Sequence, residues 1–325
     1  MLIESSSIPK YRDLSQPGDD IFTVVPQRLY AVFDGATDTV GAMIQGETPG
    51  RFAASRAALA MVECATGSRR GKLTADQWLA AMNHSIASGL KEAGAQSVRA
   101  GTTAAVVEDT GDTFRFLIVG DSAIRINGTE LIRLTKDIDL IYAAGRIALF
   151  RHLLIQGMSG DAVEKVARQL IFKGLSQPHQ TYLSQQDIAS IVETARKECQ
   201  HRLKPDAHDV VERSLLAGIA GGQYGFCNLA GHSLGYAVLN GGQTQGPDVM
   251  SFTRPKSGIH SIELFTDGYM TCPQGTRVRD WEDEFFRVEA EDFSKIGAYP
   301  GVKGSSSQFF SDDRTVLVIQ PFSAP

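Results

Sequence analysis

Hydrophobic positions in this 325-residue chain first form short runs and then recur at helical spacing. Runs rich in β-branched and aromatic residues predict strands at 21–25, 29–33, 103–108, 114–119, 260–265 and 315–319. Between the second and third strands, 49–65 and 74–93 have helical spacing. Thr74 and Gln77 form a capping-box signature at the start of the second helix. Strands, then a helix pair, then further strands indicate a mixed α+β fold rather than regular βαβ winding.

The stretch 138–218 has a different pattern, because its apolar residues keep helical spacing through several segments. Ser184 with Asp187 predicts one of the helix starts within it. No Pro-, Ser- or Gly-rich linker or charge run divides the chain. We therefore predict a single domain over 1–325, with 138–218 as a helical insertion. The insertion is either a cap that selects a substrate or docks a partner, or a segment that only completes the core.

Composition narrows the classes of function. Hydrophobic residues make up 42% of the chain and charged residues 21%, which is typical of a globular protein with a large core. The 32 basic and 37 acidic residues are interspersed, so neither nucleic acid nor a membrane surface is an expected partner. No run approaches the roughly 18 apolar residues of a membrane-spanning helix, and no signal-peptide pattern is present, which favours a cytoplasmic location. The four cysteines are scattered without a C-x-x-C pair, which argues against a zinc knuckle.

Aspartates stand at the ends of several predicted strands. Those concerned are Asp34, Asp121, Asp267 and the pair Asp312 and Asp313. Glycine follows both Asp34 and Asp267, and a single Asp-Gly is most often a hairpin turn. Mg²⁺ and Mn²⁺, however, prefer oxygen ligands, and a strand end can hold a carboxylate rigidly. Several such ends converging would make a metal site.

Seven short motifs follow one another in a fixed order. They are Gly18-Asp19-Asp20, Phe33-Asp34-Gly35, Gly101-Thr102-Thr103-Ala104, Val119-Gly120-Asp121-Ser122, Leu134-Thr135-Lys136-Asp137, Phe265-Thr266-Asp267-Gly268 and Asp312-Asp313-Arg314-Thr315. The ordered set resembles that of the PPM/PP2C family of metal-dependent serine/threonine protein phosphatases, and the resemblance lapses between Ile138 and about His260. It implies an α-β-β-α sandwich of two antiparallel sheets flanked by helices. The implied substrates are phosphorylated proteins or small phosphoesters.

The resemblance also implies a centre of two Mn²⁺ or Mg²⁺ ions. Asp34 would bridge both ions, while Asp19 and the Gly35 carbonyl would serve one of them. Asp267 and Asp312 would hold the other. Two cations about 4 Å apart can lower the pKa of a bridging water and clamp phosphoryl oxygens, so that hydroxide attacks in line. Asp34, Asp267 and Asp312 would then be catalytic through metal-bound water.

The remaining motif positions have supporting roles in this interpretation. Asp121 matches a position that in some members helps to bind a third metal ion. Asp20 and Asp313 would lie behind the ligands and orient them or their water. The nearest candidate for the family's phosphate-binding arginine is Arg12, which is out of register. Lys10 is a second candidate, and both basic residues are also consistent with ordinary surface charges.

Two departures from the family bear on activity. Many members have a histidine after the metal-bridging Asp-Gly that protonates the leaving alkoxide, whereas Ala36 follows here. Asp19 stands where a glutamate is usual and is one methylene shorter, which could convert a direct contact with a metal into one through water. The missing acid leaves open a second class of function, a phosphatase-like module that binds or senses without turnover.

A rival pattern, Gly231-His232-Ser233-Leu234-Gly235, fits the nucleophile elbow of α/β-hydrolases. Asp248 and His260 follow it in the Ser, Asp, His order of those enzymes. An elbow lies between a strand and a helix, whereas 236–242 has the pattern of a strand ending in a turn. An esterase that uses Ser233 is therefore the weaker alternative, since it leaves the aspartates unexplained.

Overall fold

The computed structural model describes residues 1–38, 41–68, 71–177 and 181–321. The strands in these ranges are β1 (Leu2–Ile8), β2 (Ile21–Val25), β3 (Leu29–Gly35), β4 (Thr102–Asp109), β5 (Thr113–Val119), β6 (Ala123–Ile126), β7 (Glu130–Arg133), β8 (Val249–Pro255), β9 (Ile262–Phe265) and β10 (Arg314–Gln320). The helices are α1 (Pro49–Thr66), α2 (Ala75–Glu92), α3 (Ile138–Ile155), α4 (Asp161–Lys173), α5 (Gln185–Gln200), α6 (Pro205–His208), α7 (Val211–Gly218) and α8 (Val278–Glu291). Within the described ranges, no helix combines the length and the apolar character needed to cross a membrane.

The chain divides into two compact units. The first comprises Met1–Thr135, Ala237–Arg287 and Asp312–Pro325, and the second comprises Lys136–Tyr236 and Val288–Ser311. The first unit contains both β-sheets, and the second contains α3 to α7. The predicted insertion 138–218 lies within the second unit, which also takes in 219–236 and 288–311. That this segment is a cap within a single domain stays a prediction.

The first unit is built on two antiparallel five-stranded sheets. One has the strand order β1-β10-β9-β6-β7, and the other has β2-β3-β4-β5-β8. Alternation along β3 explains the layers, because Val32 packs with Leu317 of the other sheet while Phe33 packs with α1 and α2. Trp281 of α8 covers the first sheet, with its ring 4.4 Å from that of Phe265. The predicted α+β class, two antiparallel sheets flanked by helices, is confirmed.

All six predicted strands and the first two predicted helices are present, with boundaries shifted by a few residues. The capping boxes at Thr74 and Ser184 are also present. Four strands were missed, namely β1, β6, β7 and β8, because they are short or carry serine, arginine or proline among few apolar residues. The strand expected at 236–242 was wrong, since Tyr236 and Leu239 form only isolated bridges.

One buried arginine organises the second unit. Arg146 of α3 is fully buried and pairs with Glu164 of α4. Its guanidinium also donates to the carbonyls of Ser294 at 2.6 Å, Lys295 at 3.2 Å and Gly301 at 3.2 Å. These bonds attach 288–311 to the helices, which explains why a segment so distant in sequence belongs to this unit.

We expect Arg146→Met to loosen 288–311 selectively. The substitution leaves the Glu164 carboxylate buried without its cation, which costs about 3–5 kcal/mol. Hydrogen exchange should show lost amide protection in 288–311 and α4, with β3 and β4 unchanged. Arg151→Met is the matched control, because Arg151 donates to Ile296 of the same segment from an exposed position. Unaltered protection of 288–311 in Arg146→Met would contradict this account.

Candidate metal centre

Close backbone approach, rather than turn formation, explains both Asp-Gly pairs. A Cβ on Gly35 would lie 2.6 Å from the backbone oxygen of Asp19, and one on Gly268 would lie 2.0 Å from that of Asp313. Neither glycine has a positive φ. After β3, the next strand that pairs with it is β4, which follows only after α1 and α2. Asp34-Gly35 is therefore no hairpin turn. The absence of a side chain at each glycine lets two aspartate-bearing segments come together.

The predicted aspartates come from both sheets of the first unit. Asp34 lies near the end of β3, Asp20 directly precedes β2, Asp121 lies in the turn between β5 and β6, Asp267 follows β9, and Asp312 and Asp313 precede β10. The turn at Asp121 carries the chain from one sheet to the other. A hydrogen bond of 2.7 Å between Thr103 and Ser122 fixes that crossing. Aspartates of five of the seven motifs therefore lie at or next to strand ends of the first unit.

Asp34 lies at the centre of this group. Burial together with the carboxylates of its neighbours raises the pKa of Asp34 well above its usual value. Those neighbours, in decreasing order of effect, are Asp267, Asp20, Asp121 and Asp312. Within the described residues, no side chain or backbone N–H donates to the Asp34 carboxylate. It is a partly buried acid surrounded by other acids, and its ionised form is destabilised.

Asp20 lies behind Asp34 and is held by a threonine. The Thr266 hydroxyl donates to Asp20 at 2.7 Å and accepts from the Thr315 amide at 2.9 Å. Burial and the Asp313 carboxylate raise the pKa of Asp20, and the Thr266 bond offsets part of that effect. This arrangement anchors Asp20 to β9 and β10. It suits the supporting role that the sequence indicated for Asp20, a role that stays a prediction.

Asp19 and Asp313 already have an internal cation. The Lys10 ammonium lies 3.1 Å from Asp19 and 2.8 Å from Asp313, and the Lys10 amide donates to Asp313 at 2.7 Å. Burial alone would lower the pKa of Lys10, but Asp313, Asp19 and Asp312 outweigh it and raise the pKa above its usual value. With 12% of its side chain exposed, Lys10 is no ordinary surface charge, and that interpretation was wrong.

Two further residues near Asp19 escaped the sequence analysis. Thr48 donates from its hydroxyl to Asp19 at 2.5 Å, and the same hydroxyl caps α1 by accepting from the Arg51 amide. The guanidinium of Arg51 donates to the Gly18 carbonyl at 2.6 Å. Threonine followed by proline at a helix start is a readable N-cap signal, although nothing in it points to Asp19. Arg12 is exposed, and its phosphate-binding role stays a prediction.

The donor set suits a hard divalent cation, because every candidate ligand is an oxygen. In the part of the chain that the structure describes, no three His, Cys, Asp or Glu side chains are grouped so as to hold a metal as they stand. The candidate ligands therefore suit a divalent cation by their charge, but they are not arranged as a complete coordination shell. A cation beside Asp34, Asp267 and Asp312 would relieve the repulsion among them. Asp19 differs, since Lys10 and Thr48 already satisfy its two oxygens.

The rival serine site does not form a nucleophile elbow. Residues 231–235 lie in turns, without a strand before them or a helix after them in the described chain. Ser233 donates to Asp206 at 2.7 Å, and its amide donates to the other oxygen of the same carboxylate. Asp248 instead accepts from the Ala237 amide at 2.6 Å. The Ser233 hydroxyl therefore serves a local turn.

No family model matches the chain, and no curated protein matches it. Among solved structures, the Mycobacterium tuberculosis serine/threonine phosphatase PstP/Ppp is similar at 16% identity and a TM-score of 0.47, covering 99% of this chain and 100% of that one. The Staphylococcus aureus phosphatase Stp1 has 11% identity and a TM-score of 0.47, with 99% and 96% covered. The PstP catalytic domain in complex with two manganese ions has 14% identity and a TM-score of 0.45, with 98% and 96% covered. Similarities at this level assign neither a family nor an activity.

We expect Asp34→Asn to stabilise the metal-free protein at about pH 8. Because the folded-state pKa of Asp34 lies above its unfolded value, ionisation destabilises the fold progressively as pH rises from about 4 through the raised pKa. Removing the charge should raise Tm by about 2–4 °C for each kcal/mol of repulsion relieved. Melting in EDTA across this pH range would measure the effect. The gain should vanish towards pH 4, and Asp112→Asn, on an exposed turn, should show none.

Proposed function

We propose that the first unit is a metal-dependent phosphohydrolase that acts on phosphoserine and phosphothreonine proteins or on small phosphoesters. The observation that carries the proposal is the position of Asp34 among Asp267, Asp20, Asp121 and Asp312, with no cation from the described part of the chain beside it. Such a concentration of charge is unfavourable unless protons or a cation neutralise it. The ordered motifs that supply these aspartates favour the phosphatase class over other metal-dependent hydrolases.

The chain's own residues would hold and orient the reacting groups. Asp34, Asp267 and Asp312 would ligate Mn²⁺ or Mg²⁺, with the Gly35 carbonyl available beside them. When bound, the cations supply an activated water and neutralise charge on the phosphoryl oxygens. Asp20 would accept a hydrogen bond from a water at the site, held in position by Thr266. The motif resemblance implies two ions. In some members of the family a third ion binds, and Asp121 matches a position that helps to hold it.

A second candidate is a binding module of the same fold, and one observation favours it. Ala36 is exposed beside Asp34, and its amide donates to Gly101, so this position offers no proton to a leaving group. A site that binds phosphorylated ligands without turnover would need no such acid. The two candidates differ in whether the protein hydrolyses an aryl phosphate when Mn²⁺ is supplied.

We expect divalent-metal-dependent hydrolysis of 4-nitrophenyl phosphate that is lost in Asp34→Asn and Asp267→Asn. Each substitution removes a ligand charge, and turnover should fall by about 10³-fold or more while circular dichroism stays unchanged. Asp112→Asn is the control. Full activity in excess EDTA would contradict the proposal. An inert wild-type protein that binds phosphopeptides with Mn²⁺ would establish the binding module instead.

We expect the rate to depend steeply on the leaving group, because Ala36 cannot protonate the departing oxygen. A positioned acid typically contributes 10² to 10⁴ in rate when the leaving group is poor. Across aryl phosphates of rising leaving-group pKa, kcat/KM should fall steeply, and Ala36→His should flatten the slope. Ala36→Phe is the control for bulk, because it adds a ring without a proton to transfer. A flat dependence in the wild type, with chemistry rate-limiting, would show that another residue supplies the proton.

A further inference from the structure

The four carboxylate oxygens of Asp19 and Asp313 all accept hydrogen bonds from within the protein. Asp19 accepts from Thr48 at 2.5 Å on one oxygen and from the Lys10 ammonium at 3.1 Å on the other. Asp313 accepts from the Lys10 amide at 2.7 Å on one oxygen. Its other oxygen accepts from the Lys10 ammonium at 2.8 Å and from the Asp19 amide at 3.1 Å. One lysine therefore bridges both acids and contacts three of the four oxygens.

Strand pairing places this lysine where it is. Strand β1 pairs antiparallel with β10, and Ile8 lies opposite Arg314. Continuing that register beyond both strands brings Lys10 alongside Asp312 and Asp313. Asp313 is buried, with 4% of its side chain exposed, and Lys10 is partly buried, with 12% exposed. The sheet register therefore places the Lys10 backbone beside these acids, and its ammonium contacts both carboxylates.

We propose that the Lys10 ammonium takes the place of one divalent cation, so that the site binds metal only on the side of Asp34, Asp267 and Asp312. This inference rests on the proposed function, and it departs from the two-ion centre that the motifs imply. Mg²⁺ and Mn²⁺ need ligand oxygens at about 2.0–2.2 Å in a near-octahedral shell. The second ion that the motifs imply would take Asp19 as a ligand, but both Asp19 oxygens already accept hydrogen bonds, one from Thr48 and one from the Lys10 ammonium.

The same geometry assigns Lys10 a positioning role. Its ammonium donates to Asp313, which in turn accepts from the Asp19 amide. It also donates to the Asp19 carboxylate, and the Asp19 backbone oxygen lies against Gly35 at the end of β3. An ammonium has no coordination position to offer, so it can hold these acids in place but cannot activate a water. The side of Asp19 and Asp313 is then structural, and the side of Asp34, Asp267 and Asp312 carries the chemistry.

The test is to count bound Mn²⁺ by isothermal titration calorimetry and equilibrium dialysis in the full-length protein. We expect Lys10→Gln to bind one more Mn²⁺ per chain than the wild type, and Lys10→Arg to bind the wild-type number because it keeps the cation. Lys256→Gln is the matched control, since the Lys256 ammonium lies 2.6 Å from the Asp109 carboxylate and takes no part in the aspartate group. If Lys10→Gln is insoluble, Lys10→Gln with Asp313→Asn removes the orphaned charge and keeps an amide oxygen as ligand. We expect the same additional ion there.

The outcomes separate this inference from the proposed function. An equal Mn²⁺ count in wild type and Lys10→Gln, or an equal gain in Lys256→Gln, overturns the inference and leaves the phosphohydrolase intact. An additional ion in Lys10→Gln without aryl phosphate hydrolysis by the wild type supports the inference and counts against the function. Mn²⁺ binding by neither protein overturns both.

Discussion

Repulsion among the carboxylates around Asp34 is the constraint on which the arrangement of the first unit depends. Each aspartate is carried to the site by a different segment, and the fold must hold them together although burial favours their neutral forms. The opposing stabilisation comes from the strands behind them. Residues 29–33 of β3 are each 1% exposed or less. Because burying one large apolar side chain contributes about 1.5–3 kcal/mol, a few such positions offset the repulsion.

The positions of the aspartates could be predicted from the sequence because strand ends are visible in it. A buried strand such as β3 is a nearly continuous apolar run, and the polar residue that ends it stands out. That several strand ends lie close together depends on the tertiary structure, and in the sequence only the ordered set of motifs indicated it. The Asp-Gly pairs show the limit of local reasoning, since Gly35 and Gly268 are required by backbone approach across the fold and not by a turn.

Lys10 and 288–311 could not be predicted, for related physical reasons. Strand β1 contains three consecutive serines and has a weak apolar pattern, so its pairing with β10 is hidden. Without that register, nothing in the sequence brings Lys10 to Asp313. The segment 288–311 joins the second unit through the carbonyls that Arg146 binds, and backbone acceptors leave no mark on the sequence. In both cases one long basic side chain, Lys10 or Arg146, connects segments that are distant in the sequence.

An internal ammonium has a physical advantage over a second metal at the rim of such a site. Lys10 is covalently part of the chain, so it offsets part of the charge of Asp19 and Asp313 at every metal concentration and incurs no association entropy. Asp34 has no such partner among the described residues, so its charge would remain available to an exchangeable cation. The division also fits the chemistry of the two cations, because a metal can polarise water whereas an ammonium only donates hydrogen bonds. In the proposed site, the Lys10 ammonium would hold one side in place permanently, and an exchangeable metal ion would supply reactivity on the other.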